Sequence, residues 1–232
     1  MPYRSPGQRA ITPQHKGRFP GFDVLDQVEA WDDVTAGVVL RRLALPGSLA
    51  FFAPAEVAIA GPLLDLLLAQ DADPRVPVLA LIDERLAVGE TDGWHYDDLP
   101  EDAQAWRDTL AALDADSRDQ HHRGFAELIG NEQAALVQAV QDLAGDGKQW
   151  HSWQAARVWS LWTRYACTAF YSHPWAWNEI GFPGPAYPRG YLNPGVDSRE
   201  RWEVADQRHT DPVSFSERVE RARRQHAAQF ED

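Results

Sequence analysis

This sequence predicts an all-α fold: a single irregular bundle of about seven or eight helices with an extended N-terminal arm and a Pro/Gly/aromatic loop near its end. Three observations predict it. Apolar residues recur at three- and four-residue spacing through most of the chain. No segment alternates apolar and polar residues for long enough to make a convincing strand. Proline and glycine punctuate the apolar segments where helices would stop and start. The predicted organisation is a basic arm over 1–22, a helical domain over 23–191, and a charged tail over 192–232 with a short terminal helix.

Residues 1–22 carry Arg4, Arg9, Lys16 and Arg18 and no acidic residue, among four prolines and three glycines. Such a segment is either a free tail or an arm laid along an acidic surface. From Asp23, DVLDQVEAW puts Val24, Leu25, Val28 and Trp31 on one helical stripe. DDVTAGVVLRRLAL follows, capped by Asp32 or Asp33, although its Val38-Val39 pair also suits a strand. In PAEVAIAGPLLDLLLAQ, Pro54 fits a first turn, and Pro62 is expected to kink the helix or restart it. VPVLALIDERLAVG is ended by Gly89. Pro100-Glu101-Asp102 opens a long helix with Trp106, Leu110 and Leu113 on one side. Asn131 starts the next, which stops at Gly145. Ser152 begins SWQAARVWSLWTRYACTAFYSH, whose Trp153, Val158, Leu161, Trp162, Tyr165, Ala169 and Phe170 nearly encircle it, as expected of a helix buried in mid-bundle. In the tail, Ser214 and Glu217 have capping-box spacing.

The chain has 232 residues and 44% hydrophobic content, enough for one sizeable core. Its net charge of -13 argues against nucleic acid as a main partner. A single cysteine, Cys167, excludes an internal disulfide and any multi-cysteine metal site. No apolar run is long enough for a transmembrane helix. Arg41-Arg42 stands before an apolar stretch as in a twin-arginine export signal, but Pro46, Pro54, Glu56 and Pro62 interrupt that stretch, so it reads as folded structure.

The usual catalytic signatures are missing: the sequence has no GxGxxG, P-loop, GxSxG or HExxH. Cys167 lies in the most apolar helix and reads as an inert small hydrophobe. His121 and His122 are adjacent in a charged stretch and read as solvated. The acidic pairs Asp97/Asp98 and Asp114/Asp116 read as helix-end residues. His95, His151 and His173 each neighbour tryptophans, and His173 can satisfy a helix-terminal carbonyl. A self-standing enzyme or binding protein using a His/Trp-rich pocket around His151, His173 and Glu179 is one functional reading. No catalytic, cofactor-binding or metal-ligating set is assigned.

The segment SHPWAWNEIGFPGPAYPRGY, residues 172–191, raises the other reading. It holds five aromatic residues, four prolines and three glycines, and only Glu179 and Arg189 are charged. Pro183, Pro185 and Pro188 argue against a helix, and the apolar side chains argue against disorder. Either these aromatics dock onto a partner, as Trp and Tyr do at interface hot spots, or they fold back and complete the core.

Three stretches carry a family resemblance. FFAPAEVAIAGPLLDLLLAQD, residues 51–71, resembles the opening helix of the gluconate 2-dehydrogenase subunit 3 family. FAELIGNEQAALVQAV, residues 125–140, is similar to its F-x-x-L-x-x-x-x-Q-x-x-L helix entry. NEIGFPGPAYPRGY, residues 178–191, resembles its terminal signature. The resemblance implies a helical, non-catalytic small subunit without a cofactor of its own. Its large partner would be an FAD-containing dehydrogenase of the glucose-methanol-choline type acting on sugars, sugar acids or polyols, which the small subunit binds, stabilises or helps mature. Trp175, Trp177, Phe182, Tyr187, Arg189 and Tyr191 are then the expected partner-binding residues. Many members carry an export signal; here the first twenty residues are polar and proline-rich, so a cytoplasmic complex is expected.

Overall fold

The computed structural model describes residues 10–204 except 20, 45, 46, 95, 194, 196 and 197. Seven α-helices carry the described fold: α1 (Asp33–Arg41), α2 (Pro54–Leu67), α3 (Val78–Ala87), α4 (Asp102–His121), α5 (Gly130–Gly145), α6 (Ala155–Ser172) and α7 (Pro174–Ile180). The all-α architecture matches the sequence expectation. Three short 3₁₀ segments, Pro13–His15, Val24–Ala30 and Phe125–Glu127, join them. The tail helix expected after Ser214 lies outside the described residues.

Several helix ends follow directly from side-chain chemistry. Asp32 accepts the Thr35 N–H at 2.8 Å and caps α1. Pro54 opens α2, where a missing N–H costs nothing, and Glu56 reaches back to the Ala53 N–H at 2.7 Å. Pro62 sits inside α2 without restarting it. The loop before α2 hangs on Asp83 of α3: this buried carboxylate accepts the N–H groups of Ala50, Phe51 and Phe52 at 2.6, 3.0 and 2.8 Å.

Helix α6 is central, touching α2, α3, α4, α5 and α7. Three residues of α4 at seven-residue spacing, hence on one face, tie it to α6 and to the hairpin before it. Asp102 accepts the Tyr165 hydroxyl at 2.7 Å. Thr109, itself donating to the Ala105 carbonyl, accepts the Trp162 indole N–H at 3.0 Å. Asp116 takes the Trp150 indole N–H at 2.7 Å and His151 at 2.8 Å. Because the α6-side partners descend in number as the α4 residues rise, the helices run antiparallel. Trp106 and Trp162 are fully buried, and Trp106 meets Tyr165 edge-on at 5.8 Å.

Four details correct the sequence reading. The segment from Val24 is a 3₁₀ helix. A two-residue hairpin, β1 (Gln149–Trp150) with β2 (Trp153–Gln154), precedes α6, which starts at Ala155 and not at Ser152. The outer face of α6 is open: Cys167 and Tyr171 are exposed, so the cysteine is no buried hydrophobe and the helix is not encircled. Asp114 and Asp116 lie inside α4, where Asp114 accepts the Phe125 N–H at 2.8 Å and pairs with Arg118.

The described part of the arm is laid along an acidic surface. The Gln14 side chain donates to the Ala69 carbonyl and accepts the Asp71 and Ala72 N–H groups, while Lys16 lies 3.4 Å from Asp71. A second, smaller core forms beyond α6 from Val24, Trp31, Val39 and Trp177.

Candidate functional site

The candidate site is built on α7 and the loop that follows it. Sequence reasoning took residues 172–191 as non-helical because of the later prolines. The first half is nonetheless a helix, because Pro174 occupies its first turn and the left-handed Gly181 (φ 71°) ends it. His173 ends α6 through its backbone N–H, which donates to the Phe170 carbonyl at 3.1 Å, and caps α7 with its ring, whose Nδ1 accepts the Trp175 N–H at 3.2 Å. That imidazole is buried, and burial, aided by the positive charge of Arg42, pushes its pKa down to about 4.

Asn178 fixes α7 against the N-terminal segments. Its Oδ1 accepts the Val24 N–H at 2.7 Å, and its Nδ2 donates to the Ile11 carbonyl at 3.0 Å. Trp177 fills the second core, donates its indole N–H to the Tyr171 carbonyl at 2.6 Å, and meets Phe182 edge-on at 5.3 Å. The Arg42 guanidinium stands 5.7 Å from the centroid of its ring. Trp175 is half-buried against the main core.

The loop past Gly181 has few repeating hydrogen bonds but is pinned at several points. Trp31 donates its indole N–H to the Pro185 carbonyl at 2.9 Å. Gly184 lies against the same indole at φ 78°; a Cβ there would stand 2.3 Å from Trp31 Cζ2. Arg189 donates to the carbonyls of Pro183 and Pro185 at 3.2 and 3.0 Å and to Gln27 at 2.9 Å, and stacks 4.0 Å from the centroid of Trp202. Tyr191 packs on Trp202 at 5.1 Å.

These contacts sort the six expected residues. Trp177 is buried and Arg189 is turned into the loop's own framework. Trp175 is shared between core and surface. Phe182, Tyr187 and Tyr191 face outward with 40%, 65% and 61% of their surface exposed, and Leu192 joins them at 80%. The core-completing reading of the aromatic segment therefore holds for one set, and the other set is left exposed. Gln27, Trp31 and Asn178, which hold the loop and the helix before it, carried no signal of that role in the sequence, since their partners lie more than a hundred residues away.

The alternative pocket does not assemble. His151 lies in the hairpin before α6, bonded to Asp116, and His173 lies at the far end of that helix, so the two have different surroundings. Glu179 lies on α7 beside Arg18 and Lys16; burial raises its pKa and the two cations oppose that rise. His95 lies outside the described residues. Among the described residues no three His, Cys, Asp or Glu side chains group closely enough to hold a metal ion. No helix of the described residues is long and apolar enough to cross a membrane. Among the described residues, the hairpin of two-residue strands offers no strand-to-helix crossover of the dinucleotide-binding kind.

No curated protein and no solved structure matches the chain. The family model described as gluconate 2-dehydrogenase subunit 3 matches residues 54–184. That span runs from the first residue of α2 to the glycine seated on Trp31, and leaves Tyr187, Arg189 and Tyr191 beyond it. It covers more than half of the chain, which therefore belongs to the gluconate 2-dehydrogenase subunit 3 family.

Proposed function

We propose that this chain is the non-catalytic small subunit of a dehydrogenase complex, and that it binds and stabilises an FAD-containing large subunit of the glucose-methanol-choline type. The substrate of that enzyme would be a sugar, sugar acid or polyol, and the flavin would belong to the partner. Family membership supports the subunit role.

The observation that carries the docking reading is the contrast within one short segment. Backbone carbonyls, glycines and Arg189 are committed to holding the loop, while Phe182, Tyr187, Tyr191 and Leu192 are left outside. A prefixed backbone presenting exposed aromatic side chains loses little conformational freedom on association. Tyr and Phe also bring large contact areas with few rotatable bonds.

The test is co-purification of the flavoprotein with tagged chain, wild type against the Tyr187→Ala/Tyr191→Ala double variant. We expect the double variant to keep its melting temperature and to lose at least about tenfold in partner affinity, as removal of hot-spot aromatics does. Undiminished flavoprotein capture by a folded double variant would remove the loop from the interface.

A further inference from the structure

Past the α7 loop the chain turns back on itself, and one carboxylate holds that return. Glu200 is only 8% exposed. Its Oε1 accepts the backbone N–H groups of Leu192 and Asn193 at 2.5 and 2.6 Å, and its Oε2 accepts the Asn193 side-chain amide at 2.9 Å. These donors, the Asn193 N–H foremost, hold its pKa below the ordinary carboxylate range, against the opposing effect of burial. The carboxylate is thus committed to the backbone directly after Tyr191.

The turn that carries Glu200 is itself built. Glu203 accepts the Glu200 N–H at 2.7 Å with its carboxylate and donates its own N–H to the Glu200 carbonyl at 3.1 Å. Trp202, two residues on, takes both the Arg189 guanidinium, 4.0 Å from its centroid, and the Tyr191 ring at 5.1 Å. Val204 then closes on the end of α7, where a Cβ on Gly181 would stand 2.8 Å from its Cγ2.

This framework does not fix core. Tyr191 and Leu192 stay exposed. Taking a carboxylate out of water is costly, and ordering two residues is costly as well. The free chain gains little apolar burial from that ordering. An associating surface gains from it, because an apolar tip already held in place loses less freedom on binding. We propose, building on the docking role of this loop, that Glu200 is a positioning residue for the large subunit: by clamping Leu192 and Asn193 it holds Tyr191 and Leu192 in the outward pose that the partner takes, without touching the partner itself.

The experiment compares the full chain with Glu200→Ala and Glu200→Gln by amide hydrogen exchange, melting temperature and affinity for the flavoprotein that co-purifies with tagged wild-type chain. Glutamine keeps an acceptor for the two backbone N–H groups and loses the one for the Asn193 side chain. We expect exchange at Leu192 and Asn193 to rise about tenfold or more in Glu200→Ala and less in Glu200→Gln, with exchange in α6 and the melting temperature unchanged. Partner affinity should fall about fivefold or more in Glu200→Ala and recover in Glu200→Gln. In a Tyr191→Ala/Leu192→Ala background, Glu200→Ala should cost no further affinity, since nothing is left to position. Unchanged exchange in Glu200→Ala would overturn the clamp whatever the partner does. Raised exchange with wild-type affinity, where Tyr187→Ala/Tyr191→Ala weakens capture, would overturn the positioning role and leave the docking reading standing. A full further loss in the Tyr191→Ala/Leu192→Ala background would overturn it too, by making Glu200 a direct contact. Affinity unmoved by Glu200→Ala and by Tyr187→Ala/Tyr191→Ala alike, or no flavoprotein recovered at all, would overturn both readings.

Discussion

At the scale of single residues, the loop's shape rests on Gly184 and the helix before it on His173. Gly184→Ala places a Cβ into the Trp31 indole at a φ that L-residues avoid. We expect it to cost about 2–4 kcal/mol by urea denaturation. For His173 the sign follows from its depressed pKa. The imidazole is neutral in the fold and titrates near 4, against 6.5 when unfolded. Its contribution is complete above pH 6.5 and is lost as pH falls toward 4, because only the unfolded chain takes up the proton in that window. The loss by pH 4 is about 3 kcal/mol. Urea midpoints of wild type and His173→Asn across pH 7 to 4 isolate it, since asparagine can cap but does not titrate there. A constant difference between the two proteins would contradict the assignment. The position of His173 at a helix end was legible from the proline after it. That its ring also caps a following helix was not, because the later prolines argued against any helix there.

At the scale of elements, α4 and α6 are joined by polar contacts that periodicity cannot reveal. Heptad spacing marks Asp102, Thr109 and Asp116 as one face only once their partners are known. Thr109→Val keeps the shape and strands the Trp162 indole N–H in the core. We expect about 1–3 kcal/mol of destabilisation, measured by chemical denaturation. The two aromatic classes in and after α7 should separate cleanly. Trp177→Ala opens a cavity in the second core and should cost about 3–5 kcal/mol, whereas Tyr187→Ala should stay within about 0.5 kcal/mol of wild type. Equal effects would mean that the loop is packed differently. Helix positions were largely legible, since Asp32, Pro54, Gly89 and the apolar stripes obey local rules. The α7 helix was missed, because prolines further along the segment outweighed the start and stop signals of Pro174 and Gly181. The hairpin was not, because Trp-His-Ser-Trp has no alternation and His151 takes φ 52° without being glycine. The openness of Cys167 was also hidden, because apolar content near a position does not say which side of α6 has neighbours.

At the scale of the whole molecule, a helical body with a pinned, aromatic-tipped loop, against which the described part of the basic arm is laid, suits a subunit that presents a preformed face. The family was legible from three short motifs in order, and the matched span confirms it. The proposed docking surface was legible only as a set of residue types. Phe182, Tyr187 and Tyr191 could not be told from Trp177 and Arg189 until Trp31, Gln27 and Trp202 were in place around them. The central claim is the flavoprotein partnership. The most direct measurement is purification of the tagged chain from its native host, with the native mass and flavin absorbance of the eluate read together. We expect a stoichiometric complex with a glucose-methanol-choline-type flavoprotein, yellow from the partner's flavin. A colourless chain eluting alone from cells that express such an enzyme would contradict it.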